Sequence, residues 1–220
     1  MSEIWITGDP HFGHDKNKKG LGGIIHHAKR TNPITFKEFE NIEAHDSFIL
    51  DQFNKTCSPK DTLIIAGDFA WKNHNHYIGG IRCKKILIRG SHDKMNQDCL
   101  KNFTAVHEGM WITTIHNVQF VITHCAMLVW EASHYGSINC YAHSHQRLEE
   151  RDDVKRMDVG VDGSPNYAPW NIDFIIYKMS LKLKPKYNKT EEELNAIINK
   201  NKENNAYLLR QWSQLKTLKN

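Results

Sequence analysis

No apolar run in the chain approaches the roughly 20 residues that cross a bilayer, and the first nine residues reach a polar strand end without an apolar leader. The five cysteines, Cys57, Cys83, Cys99, Cys125 and Cys140, are odd in number, scattered, and contain no Cys-x-x-Cys pair. Together these absences argue against a membrane protein and against a secreted disulfide scaffold, and they predict a reducing cytoplasm. The chain as a whole also lacks the charge of a nucleic-acid binder, since 29 Lys and Arg face 25 Asp and Glu. What excess there is sits at the end: the last forty residues hold nine Lys or Arg and four Glu, leaving twenty basic and twenty-one acidic residues elsewhere.

What the chain does have is length and histidine. At 220 residues it can bury a substantial core without disulfides or a structural metal. Its 14 histidines make a His-rich site easy to build. Five strand-like runs end in residue types that ligate metals. Ile4-Trp5-Ile6 leads to Asp9 and His11, Thr62 to Gly67 leads to Asp68, and Ile86 to Gly90 leads to Ser91-His92-Asp93. Phe120 to Thr123 leads to His124, and Cys140-Tyr141-Ala142 leads to His143 and His145. Residues two apart on an extended segment share a face, so Asp9 with His11 and His143 with His145 are each expected to point at one ion. A carboxylate beside imidazoles suits Mn, Fe or Zn, and Asp68 has two oxygens with which to bridge two cations.

Between these runs, the segment from Lys16 to Pro33 has no period and reads as a loop over the first strand end. Its Lys16, Lys18, Lys19, His26, His27, Lys29 and Arg30 could meet an anionic substrate, or could be a solvated basic surface. Thr35 and Glu38 have capping-box spacing ahead of Phe36, Phe39, Ile42, Ile49 and Phe53, which predicts a helix from Thr35 to before Ser58-Pro59. Trp71 to Gly80 reads as a polar connection, and Trp111–Ile115 with Gln119–Thr123 as a hairpin. The runs Val159 to Asp162 and Phe174 to Tyr177 read as closing strands. Thr190 and Glu193 form a second capping box before Leu194, Ile197, Ile198, Leu208, Leu209, Trp212 and Leu215. This predicts a basic amphipathic helical extension over 181–220, docking on the core or pairing a homodimer, after a domain over 1–180.

Taken in order, Asp9-x-His11, Gly67-Asp68, Gly90-Ser91-His92-Asp93, His124 and Ala142-His143-Ser144-His145 resemble the motifs of calcineurin-like metallophosphoesterases, over about residues 1 to 178. The Asp-x-His-x-Gly-His form at Asp9 to His14 and the Val159-Gly160-Val161-Asp162 run are similar to the compact, stand-alone members. The resemblance implies an α+β fold, a β-sandwich of mixed sheets flanked by helices, with the site on loops at strand ends. It implies two divalent ions, Mn2+ first and Fe, Zn or Ni as alternatives. Asp9, His11, Asp68 and His145 would hold one; Asp68, His124, His143 and position 91 would hold the other. His92 would be the general acid, with Asp93 either orienting it or forming a structural salt bridge.

Two positions depart from the family. Ser91 stands where the family has Asn, and a neutral hydroxyl is the poorer ligand; Ala142 replaces a usual Gly. Ser91 has three accounts: natural tuning of the second metal, a non-catalytic descendant, or a deliberate substitution. The resemblance implies a phosphoesterase acting through a hydroxide shared by the metals. A phosphodiester is favoured as substrate: a nucleotide, cyclic nucleotide or short nucleic acid, met by His14, Arg89, Ser91, Trp130 and Tyr135. The alternative is a binding or scaffold protein that keeps the fold without turnover.

Overall fold

The computed structural model describes residues 2–15 and 22–182. In chain order they form β1 (Ile4–Thr7), α1 (Ile24–His27), α2 (Ile42–Thr56), β2 (Thr62–Ile65), α3 (His74–Gly80), β3 (Lys84–Arg89), α4 (Gln97–Leu100), β4 (Ala105–Glu108), β5 (Met110–Ile115), β6 (Val118–Thr123), β7 (Ile138–Tyr141), β8 (Arg156–Asp158), β9 (Trp170–Asn171) and α5 (Ile172–Ser180). Lys16, Lys18, Lys19 and the helix expected from Thr190 lie outside the described residues.

Apolar residues alternate along β2 and β3, and each face of the sheet they build is covered. Leu63, Ile65 and Leu87 face Ile49 and Phe53 of α2 and Tyr77 and Ile78 of α3 in one buried cluster. Ile64 and Ile88 face Phe120, Ile122, Ile138, Cys140 and Met157 of a second sheet in another. The first sheet runs β4-β3-β2-β1-β9 and the second β5-β6-β7-β8. β1 to β4 are mutually parallel with β9 antiparallel at the edge, while β5 and β6 form an antiparallel hairpin to which β7 and β8 add in parallel. This is an α+β fold of two mixed sheets packed face to face and flanked by helices.

Parallel pairing explains why the ligand-type residues meet. Thr7 pairs with Ile65 and Ile65 with Leu87, so β1, β2 and β3 release their following residues at one end of the sheet. The second sheet joins that end through the parallel Gly8–Gly160 bridge and the Val161 N–H donating to the Gly8 carbonyl at 3.0 Å, while within it the Ala142 N–H donates to the His124 carbonyl at 2.8 Å and so brings the ends of β6 and β7 together. Two glycines are needed for the approach. A Cβ on Gly67, whose φ is 86°, would stand 2.5 Å from His124 Nδ1, and one on Gly90 would collide with Asp68.

Three expected elements differ. α2 begins at Ile42, capped by the Asn41 side chain accepting from Ala44 N–H at 2.8 Å, and Thr35 is not its start. Asn32 Oδ1 accepts from Ile34 N–H (2.8 Å) and Thr35 N–H (3.3 Å), and the Asn32 carbonyl from Phe36 N–H (2.8 Å), so this stretch closes as a turn that leaves Phe36 exposed. Phe174 to Tyr177 is helical within α5: Asn171 caps Asp173 N–H at 2.8 Å, and Ile172, Phe174, Ile175 and Met179 bury at helical spacing. Val161 to Gly163 is a 3-10 turn, with β8 ending earlier at Asp158. In addition, the polar connection from Trp71 to Gly80 contains α3.

Candidate metal centre

Asp68 leaves β2 as a buried carboxylate with ring nitrogens on several sides. Its Oδ2 is 3.3 Å from His124 Nε2, 3.6 Å from His11 Nε2 and 3.9 Å from His92 Nε2, with Ser91 Oγ at 3.5 Å. Oδ1 accepts from the His92 N–H at 2.9 Å. Asp9, fully buried, accepts from the His143 N–H through Oδ2 at 2.6 Å, and its Oδ1 has no hydrogen-bond partner among the described residues; nor has His11 Nε2. One oxygen or nitrogen from each of Asp9, Asp68 and His124 lies within 4.8 Å of the others.

The ring nitrogens show what this cluster can take. His124 Nδ1 faces the Ala66 carbonyl at 3.0 Å, an acceptor only, so Nδ1 carries a proton. Nε2 then faces Asp68 Oδ2 at 3.3 Å and His143 Nδ1 at 3.1 Å. A neutral ring would turn a lone pair against a carboxylate. Either the ring is protonated or a cation lies between them, and two nitrogen or oxygen ligands of one ion stand about 3.0–3.4 Å apart. His145 is oriented likewise by a 2.7 Å contact from Nδ1 to Asp162 Oδ2, leaving Nε2 free to ligate.

Charge within the cluster itself is correspondingly out of balance. Burial, with Asp68 and Asp158 nearby, pushes the Asp9 carboxyl up to about 7 against the pull of His145 and His124. Burial opposes a charge on His124, yet Asp68 and Asp9 raise it to about 9. Asp68 is held well below the carboxylate range, in spite of burial, by His124, His92 N–H and His11. Burial and the Arg30 charge keep His11 neutral, the form that ligates; burial and His92 lower His14 to about 4.

The backbone is strained at this point. Asp9, His11, Asp68, His143 and His145 have φ between 48° and 66°, the left-handed region that costs such residues about 1–2 kcal/mol each. The expected extended Asp-x-His and His-x-His segments are therefore absent; left-handed turns aim these side chains instead. Strain of this kind persists only where surrounding contacts impose it, and here a buried network does so. Arg30 donates to the carbonyls of Pro10 (2.9 Å) and Asp9 (2.6 Å) and to both oxygens of Asp162 (2.7 and 2.9 Å).

An open cleft of about 390 Å³ lies over the cluster, lined by His11, His14, His27, Asp68, Trp71, His92, His143, His145 and Arg147. Trp71 stacks on His14 at 4.2 Å and 7° and leans on His92 at 4.6 Å. Other expected contacts are elsewhere. Trp130 is buried with its indole N–H on the Ser137 carbonyl, because its loop folds onto β7. Arg89 pairs with Glu108 and the Asp93 carbonyl, and Tyr135 is exposed against His134 without lining the cleft. Arg30 is buried as an internal ion-pair partner. Asp93 serves the backbone: it accepts from the N–H groups of Asp68 (2.9 Å), Phe69 (2.8 Å) and Gly90 (2.8 Å). Trp71, Arg147 and Asp162 were not among the expected site residues. Asp162 had a signal in the Val159-Gly160-Val161-Asp162 run, whereas Trp71 and Arg147 follow ligand motifs with nothing local to mark them.

No family model and no curated protein sequence matches the chain. Solved structures do resemble it. A protein of unknown function, AQ665 from Aquifex aeolicus, aligns with TM-score 0.59 and 19% identity over 81% of this chain and 100% of that one. A single mutant of Vps29 from Entamoeba histolytica aligns with TM-score 0.39 and 12% identity over 74% and 76% of the two chains. The first shows a shared fold.

Proposed function

We propose that the chain is a two-metal-dependent phosphoesterase, a phosphodiesterase in preference to a monoesterase, acting on a nucleotide or short nucleic acid. The observation that carries the reading is Asp68 Oδ2 set among His124, His11 and His92 nitrogens, at 3.3, 3.6 and 3.9 Å, beneath an open cleft. Asp9, His11, Asp68 and His145 would hold one divalent ion, and Asp68, His124 and His143 would contribute to a second. Bound there, the ions supply water acidified to near-neutral pKa and neutralise phosphate charge. The motif order of the metallophosphoesterases supports the same assignment.

The chain's own groups supply the rest. His92, with a side chain 41% exposed toward the cleft, can hand a proton to the departing oxygen while its N–H stays fixed on Asp68. Arg147, anchored on the His27 carbonyl at 3.0 Å, places a guanidinium at the rim for a phosphate oxygen. Trp71 keeps His14 and His92 in place. Purified protein with Mn2+ is expected to hydrolyse bis-p-nitrophenyl phosphate, and the Asp68→Ala form is expected not to. Equal rates would remove the phosphodiesterase reading. Ser91, a weak ligand, favours the second reading of a binding protein on the same fold; that reading predicts metal or nucleotide binding without turnover even in the Ser91→Asn form.

A further inference from the structure

Cys125 is not used by the reading above. Of the five cysteines, the other four are buried, where a small apolar residue is what packing needs, and Cys125 alone is exposed. It follows β6 on a backbone that is held: Thr123 Oγ1 donates to the Cys125 carbonyl at 2.8 Å and accepts from Asn139 Nδ2 at 3.1 Å. Its Sγ and one ring nitrogen from each of His124 and His143 all lie within 4.8 Å of one another. An unsatisfied buried acceptor in the same cluster independently points to a cation ligand. Asp9 Oδ1 is buried without a hydrogen-bond partner among the described residues, 3.8 Å from His124 Nδ1. Position 91, from which a harder ligand is expected, offers only the Ser91 hydroxyl, 3.5 Å from Asp68 Oδ2.

We propose that the Cys125 thiolate, with His124 and His143, is a ligand of the second metal position and takes the place that Ser91 cannot fill. The inference rests on reading the cluster as a metal centre. Forming the metal–sulfur bond releases the thiol proton to solvent and changes no oxidation state. A thiolate beside two imidazoles is a softer set than the carboxylate-rich first position. The second position should therefore take Zn2+ or Co2+ in preference to Mn2+, giving the two positions different metals.

The test is Co2+ titration of the full chain under reducing conditions. The native protein is expected to show visible d–d bands together with an intense sulfur-to-cobalt charge-transfer band in the near ultraviolet. Cys125→Ser should keep Co2+ at the first position and lose the charge-transfer band, with Zn2+ affinity at the second position falling about 10–100-fold and Mn2+ affinity changing less. As a second measurement, Zn2+ should slow alkylation of Cys125, identified by mass spectrometry, by at least about tenfold. Co2+ bound without a charge-transfer band, or a band that survives Cys125→Ser, overturns the role of Cys125 and leaves the metal centre standing. No Co2+ or Zn2+ bound by the native chain overturns both.

Discussion

Arg30 and Asp162, 132 residues apart in the chain, form a two-point ion pair with Nε–Oδ1 at 2.7 Å and a terminal nitrogen on Oδ2 at 2.9 Å. Asp162 Oδ2 also meets His145 Nδ1 at 2.7 Å, and Arg30 holds the Asp9 carbonyl, so one pair steadies two strained loops of the candidate centre. The arginine side chain is wholly buried. Arg30→Met should therefore cost about 3–5 kcal/mol, because it strands a buried carboxylate. Adding Asp162→Leu should recover part of that loss, and Arg30→Lys should not restore it, since a lysine cannot make the two-point contact. Urea denaturation of the three forms measures this; a cost below about 1 kcal/mol for Arg30→Met would place the pair among ordinary surface bridges.

That pair also marks where reading the chain locally stops. β1, β2, β3, β6 and β7 are legible because short apolar runs end at polar residues, and parallel pairing then gathers those ends. α2 misleads by seven residues at its start, Ile42 in place of Thr35, since Thr35 and Glu38 mimic a cap while Asn32 closes a turn and Asn41 does the capping. α5 misleads because Phe174 to Tyr177 suits a strand by composition, and only Asn171 and the buried face settle it as a helix. Arg30 looks like one more basic loop residue until Asp162 reaches it. The left-handed φ values at Asp9, His11, Asp68, His143 and His145 fall on residue types that enter that region more readily than most, but nothing local says which Asp and His of the chain do so, because tertiary contacts impose the values.

Adjacent residues His92 and Asp93 should separate activity from stability. Asp93 satisfies three backbone N–H groups at 2.8–2.9 Å and is 1% exposed. Asp93→Ala should thus lose at least about 3 kcal/mol of stability, from several buried donors left unpaired. His92→Ala should change stability by no more than about 0.5 kcal/mol, as a half-exposed ring, and lower phosphodiester turnover by about 10²–10⁴-fold. Thermal unfolding and initial rates on both variants decide it; an unfolded His92→Ala would contradict the assignment.

Metal binding should strengthen with pH. Asp9 and His124 both have raised folded-state pKa values, to about 7 and about 9, so each favours the metal-free fold in its protonated form. That contribution is complete below the unfolded value and is lost as pH rises through the folded one, which weakens the metal-free protein from acid pH up to about 9. A cation must displace the same protons, so its competition eases over the same interval. The rise in Tm on adding saturating Mn2+ should be larger at about pH 8 than at about pH 6. Equal rises at both would show that neither group is displaced by the ion.

Trp71 holds two imidazoles against its indole, His14 stacked at 4.2 Å and His92 inclined at 4.6 Å, and 47% of the residue is exposed. The contact with His92 makes Trp71 a brace for that ring. Removing the brace lets the imidazole drift from the departing oxygen, and a displacement of about 1 Å can cost up to about 10²-fold in rate. Trp71→Ala should therefore lower kcat by about 10- to 100-fold for every phosphodiester, with KM nearly unchanged, and Trp71→Phe should keep most of the rate. Base stacking predicts the opposite split: KM rising for nucleotide substrates alone, by about 1–3 kcal/mol of lost binding, with methyl p-nitrophenyl phosphate unaffected. Steady-state kinetics on the two substrate types distinguish them, because a residue that acts through His92 cannot depend on whether the substrate carries a base.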